Sequence, residues 1–176
     1  TEAPAASTEA PAEDVSADKT FVVGICQLVQ HPALDAATQG FKDALTEALG
    51  DKVTFQEQNA SGDSATCSLI CNQFVSDEVD LIMANATASI QAAASATNTI
   101  PILGTSITDY GVALGVDNWT GVSGTNISGT TDLAPLDGQA AMIQELFPEA
   151  KTIGLLYCSG EPNSIFQADS MEALLT

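Results

Sequence analysis

The chain has 176 residues, 45% of them hydrophobic, and carries 23 acidic residues against 4 lysines and no arginine, for a formal net charge of -19. That length holds one ordinary domain, or one domain and part of another. Without clustered cations the composition excludes phosphate-backbone binding and therefore a nucleic-acid partner, and an anionic membrane surface would repel the chain.

The sequence holds no apolar run long enough to span a bilayer and no intact signal peptide. Thr1 to Asp18 are Ala, Glu, Pro, Thr, Ser and Asp with a single Val. Such a segment buries too little surface to order itself and reads as a disordered tether over residues 1–18. Phe21–Cys26 is a short, β-branched, almost wholly apolar run, as expected of a strand covered on both faces. It breaks at Gln27 into a loop reaching His31. Pro32 then opens a helix with Leu34, Ala37, Phe41, Ala44, Leu45 and Ala48 on one side. His31, the sole histidine, reads as a turn residue at that helix start rather than a general base, and Asp35 complements the helix N-terminus.

Gly50–Lys52 is a turn, and Val53–Glu57 alternates like a half-covered or edge strand. Gln58–Asp63 follows as a loop, with Asp63 the N-cap of a helix running to about Val75. Cys67, Ile70, Cys71, Phe74 and Val75 fall on its buried stripe. Cysteines four apart on an undistorted helix hold their Cβ atoms too far apart for a disulfide, so Cys67 and Cys71 read as small core residues. Cys26 and Cys158 each end a strand. One histidine and no CxxC pair predict no metal, and no cofactor is expected.

Val79–Ala84 is the third strand, Asn85–Ser89 a loop, and an alanine-rich helix runs to about Ala96. Thr99–Leu103 is the fourth strand. Gly104–Gly129 is rich in Gly, Thr, Ser and Asn without helical period, with room for one short strand in Trp119–Gly124. From Leu133 a helical pattern returns, with Leu136, Ala140, Ile143 and Phe147 on one face, and Pro148 stops it. Thr152–Tyr157 reads as a buried strand, Cys158–Ser164 as a polar loop, and a last helix starts near Ser164. The alternation specifies an α/β fold with a parallel sheet flanked by helices.

In such a sheet ligands bind at the carboxyl ends of the strands. The loops there put forward Gln27, Leu28, Asn85, Thr87, Ser89, Thr105, Thr108 and Asp109, faced by Tyr157, Glu161 and Asn163 from the later loop. Thr87 and Ser89 stand at a helix N-terminus, whose unpaired N–H groups hold a carboxylate without arginine. Asp109 or Glu161 is placed to take an ammonium, and Tyr157 to stack on a ligand, an arrangement suited to an amino acid. The sequence lacks GxSxG, Walker and GxGxxG motifs, so no catalytic residue is expected.

Ile25–Asp35, Gly40-Phe-Lys42, Gln58–Asp63, Val79–Ile82, Ala86–Ala93, Ile100-Pro-Ile102, Thr108-Asp109, Thr120–Gly124, Glu145–Tyr157 and Gly160–Ser164 together resemble, in order, the bacterial ABC-transporter substrate-binding proteins of the type I periplasmic-binding fold, some of which bind tryptophan or tyrosine. Where relatives tend to carry a proline, Ser89 and Tyr110 stand nearby instead. The resemblance implies two α/β lobes joined by a hinge with a small-molecule solute between them. Residues 19–124 would be the first lobe, 125–133 a crossing and 134–176 the start of a second lobe that is cut short. It also implies ABC permease subunits as partners and an extracytoplasmic site, on the cell surface or in the periplasm. Membrane contact would come only through a lipid anchor not present in this chain. Two rival readings are a ligand-sensing ectodomain of the same fold and a flavodoxin-like or hydrolytic enzyme.

Overall fold

The structure is a computed structural model and describes residues 19–176; the expected tether at 1–18 lies outside the described residues. Five strands form one all-parallel sheet in the order β2-β1-β3-β4-β5: β1 (Phe21–Gln27), β2 (Val53–Asn59), β3 (Leu81–Asn85), β4 (Ile102–Ile107) and β5 (Ile127–Thr131). Helix α1 (Pro32–Leu49) covers one face; α2 (Ser64–Ser76), α3 (Thr87–Ala96) and the short α4 (Tyr110–Leu114) cover the other. Helices α5 (Leu136–Leu146) and α6 (Pro162–Leu175) pack on each other, and α6 reaches α4.

The alternation of β1 divides the core. Val23 and Ile25 join Val53 and Met83 beneath Phe41, Leu45 and Leu49 of α1. Cys26 points the other way, into a larger cluster with Cys67, Ile70, Cys71 and Phe74 of α2 and Ile90 and Ala93 of α3. Cys26, Cys67 and Cys71 are fully buried free thiols and Cys158 is exposed. A hydrogen bond to Cys67 favours the Cys26 thiolate, but the bond to Cys71 and burial outweigh it and push the thiol up to about 12. The Cys67 thiol is also pushed up, by its bond to Cys26 and by burial. Protonated and enclosed, these groups act as small apolar core residues.

Several expected elements land elsewhere. On α1 the buried residue is Thr38, while Ala44 and Ala48 are exposed. Strand β4 starts at Ile102 rather than Thr99, because Thr97 Oγ1 accepts from the N–H groups of Thr99 and Ile100 and folds them into a turn. The strand then runs through Gly104 to Ile107, residues expected as loop, since main-chain pairing with β3 and β5 outweighs their weak strand propensity. Helix α4 was not anticipated: five residues are too few to show a period, though its Asp109 N-cap and its left-handed Gly115 at the C-cap (φ 65°) are ordinary helix signals. The extra strand lies at Ile127–Thr131, not at Trp119–Gly124, where no strand forms. Helix α5 begins at Leu136 rather than Leu133, and Phe147, expected on its buried face, lies past its end and is 63% exposed.

The largest departure is Thr152–Tyr157. Expected as a buried strand, it forms none, and Ile153, Leu155, Leu156 and Tyr157 are exposed. Among the described residues no strand lies alongside it, and an extended run with unpaired N–H and C=O groups is not stable as a strand.

Candidate ligand-binding site

A cavity of about 570 Å³ opens at the carboxyl ends of the strands, within the range of small-molecule sites. The β1–α1 loop supplies Leu28, Val29 and His31; the β3–α3 turn supplies Ala86, Thr87 and Ala88; β4 and the residue after it supply Ser106 and Thr108; Asp132 follows β5. Glu161, Pro162 and Asn163, at the start of α6, close the far side.

Its polar lining mixes hydroxyl and amide side chains, among them Thr87, Ser106, Thr108 and Asn163, with two carboxylates. No lysine or arginine lines the cavity. His31 caps α1, its Nδ1 accepting from the Ala33 N–H at 3.2 Å, as its turn position predicts. Asp63 caps α2 through the N–H groups of Ala65 and Thr66. In contrast, α3 and α6 begin at Ala86 and Glu161 with no side-chain cap. Both helix starts border the cavity, so their first N–H groups bring partial positive charge to it. The facing carboxylates are Asp132 and Glu161, the latter accepting from Ser164 Oγ at 3.1 Å.

The backbone is strained at this rim. Ala86 (φ 88°) and Ser106 (φ 56°) both adopt left-handed conformations that residues with a Cβ rarely take, and both line the cavity. They are linked through one bond, Ala86 N–H donating to Thr105 O at 3.1 Å. At Ser106 the β4–β5 register also slips, between Gly104 and Ile107.

Of the residues expected at the site, Leu28, Thr87, Thr108, Glu161 and Asn163 line the cavity. The others sit elsewhere. Gln27 is buried, donating to Val29 O and Asp35 Oδ1 and accepting from Thr38. Asn85 is fully buried beneath α1. Ser89 faces the core, its Oγ 3.7 Å from Cys67 Sγ. Thr105 is held in β4. Asp109 is the α4 N-cap, accepting from the Val112 N–H at 2.8 Å. Tyr157 lies in a separate shallow hollow with Leu136 and Met171. Asp132 and Ser106 were missed: the first follows an unanticipated strand, the second lies in residues read as loop.

The family model for ABC transporter substrate binding proteins matches residues 22–176. The chain belongs to the ABC transporter substrate-binding protein family. Consistent with this, the chain is 43% identical over 152 residues to a tyrosine-binding protein of Clostridioides difficile, a match covering 85% of this chain and 44% of that one. It superposes with a TM-score of 0.81, at 33% identity, on an ABC domain from Streptococcus pneumonia in complex with L-Trp, over 89% of this chain and 54% of that one. A ligand-free, open substrate-binding protein with adhesive properties from Clostridium difficile matches at 42% identity and TM-score 0.69, over 88% and 53%. The chain thus spans about half the length of the relatives it matches. Its parallel sheet with helices on both faces is that of the type I periplasmic-binding fold.

Proposed function

We propose that this protein captures an amino acid with an aromatic side chain in the cavity at the strand ends and delivers it, from outside the cytoplasm, to an ABC importer. One observation carries the reading. The cavity sets uncapped helix starts at Ala86 and Glu161 beside the carboxylates of Asp132 and Glu161, with no cationic side chain among them. A zwitterion suits this pattern: its carboxylate meets backbone N–H groups and its ammonium meets a carboxylate. The names of a tyrosine-binding relative and of a relative holding L-Trp support an aromatic side chain.

Capture proceeds by closure of two lobes about a crossing at 125–133, with residues 19–124 on one side and 134–176 on the other. In support, the chain superposes better on the L-Trp complex (0.81) than on the open, ligand-free relative (0.69), although it is more identical to the latter. A lipid anchor upstream of residues 1–18 would hold it at the surface beside its permease.

The test is calorimetric titration and thermal shift with L-tyrosine, L-tryptophan and L-phenylalanine, beside tyramine and 3-(4-hydroxyphenyl)propionate. An amino acid at about 100 times its Kd raises stability by roughly 2.7 kcal/mol. Each analogue, lacking one charge, binds at least tenfold more weakly. Equal binding of tyramine and tyrosine, or no binding of any amino acid, sinks the proposal.

A further inference from the structure

We infer that Asn85 is a positioning residue: it sets the shape of the ligand cavity by locking three of its walls together, without touching ligand. The inference rests on reading the cavity as the ligand site. Asn85 ends β3 and is fully buried, outside the cavity lining. Its main-chain oxygen accepts from the Leu28 N–H at 3.2 Å, which holds the first wall. Its side-chain Nδ2 donates to Leu34 O at 2.8 Å, which holds the second, at the start of α1. The next residue is the left-handed Ala86, which opens the third wall at Thr87.

The same Nδ2 also donates to Thr38 Oγ1 at 2.9 Å. Thr38 in turn donates to Gln27 Oε1 at 2.7 Å, and Gln27 Nε2 donates to Asp35 Oδ1 at 2.6 Å. The chain of donors runs one way, and the carbonyl of Leu34 fixes which end of the Asn85 amide carries hydrogen. Neither aspartate nor an apolar residue can reproduce two donated bonds at this junction. Asn85 Oδ1 is buried with no partner among the described residues. The site therefore uses asparagine for the two bonds its Nδ2 donates. Without the two Nδ2 bonds, the start of α1 is held to β3 by apolar packing alone, and Leu34 shifts relative to Thr87. Leu28 is then held to β3 only by its 3.2 Å bond to the Asn85 main chain.

The test compares Asn85→Leu and Thr38→Val with Thr38→Ser, which keeps the hydroxyl, and with Val79→Ala, a core change away from the cavity. Kd for L-tyrosine and L-tryptophan is measured well below every melting temperature. Asn85→Leu and Thr38→Val weaken binding at least tenfold. Thr38→Ser and Val79→Ala stay within twofold of the parent, even though Val79→Ala melts earlier. If Asn85→Leu does not fold, Thr38→Val carries the result. Affinity within twofold for both junction variants overturns the inference.

If the parent binds neither amino acid, the proposed function fails separately and amide hydrogen exchange decides the junction. The Leu28 and Ala86 amides then exchange at least tenfold faster in Asn85→Leu or Thr38→Val, while the Ile102 amide keeps its protection. Unchanged protection at Leu28 and Ala86 overturns the inference.

Discussion

The ring of Phe74 occupies the space a side chain on Gly24 would need: a Cβ there would lie 2.7 Å from two ring atoms. Phe74 is fully buried, so α2 sits against β1 at a distance that only glycine permits. Gly24→Ala should therefore cost about 1–3 kcal/mol by overpacking, seen as a lower midpoint in urea. Phe74→Leu in the same chain should recover part of that loss although it costs stability alone. Strict additivity of the two changes would show that the contact is not the cause.

Ala86 holds φ 88° and ψ 162°, a region open chiefly to glycine. Such strain costs on the order of 1–3 kcal/mol, against about 0.4–1 kcal/mol of added unfolded-chain entropy when glycine replaces alanine. Ala86→Gly should thus raise the melting temperature of the ligand-free protein. A lower melting temperature would mean that the turn is not strained.

Asp80 accepts from Lys19 Nζ at 2.7 Å and from the Val22 N–H at 2.8 Å. The Lys19 ammonium first, and then the Val22 N–H, hold its carboxyl below the usual range. A depressed folded value contributes stability that is complete above the unfolded value of about 3.9 and fades as pH falls through the folded one. Asp80→Asn should be less stable than the parent at pH 6, with the gap closing toward pH 2.5 and shrinking in high salt. A gap constant with pH would rule out charge as its source.

Two aspartates near the site should behave in opposite ways. Asp109 caps α4, so Asp109→Ala should lower stability by about 0.5–2 kcal/mol and leave affinity for L-tyrosine and L-tryptophan unchanged. Asp132 lines the cavity, so Asp132→Asn should weaken both amino acids at least tenfold with little change in melting temperature. The reverse outcome would return the ammonium to Asp109.

Much of this was legible in the residues. Phe21–Cys26, the Asp63 cap and the Cys67–Phe74 stripe depend on period and on local hydrogen bonding, which a few neighbouring residues specify. So did the placement of Leu28 and Thr87 at strand ends. Sequence proximity to a strand end did not say which way a side chain points. Asn85 and Ser89, on either side of Thr87, turn into the interior because β3 and α3 each present one face to the core.

By itself the sequence determined the α/β order, the covered strands and the acidic, arginine-free surface, since composition and periodicity are local properties of the chain. Only tertiary structure decided that β4 continues through Gly104–Ile107 while Thr152–Tyr157 forms no strand. A strand exists through its neighbour's N–H and C=O groups; β4 has β3 and β5 beside it, and the more apolar Thr152–Tyr157 has none among the described residues. Tertiary structure likewise brought Asp132 to the cavity, because β5 had to pair with β4 before that carboxylate had a place, whereas Asp109 caps α4 through a bond only three residues away.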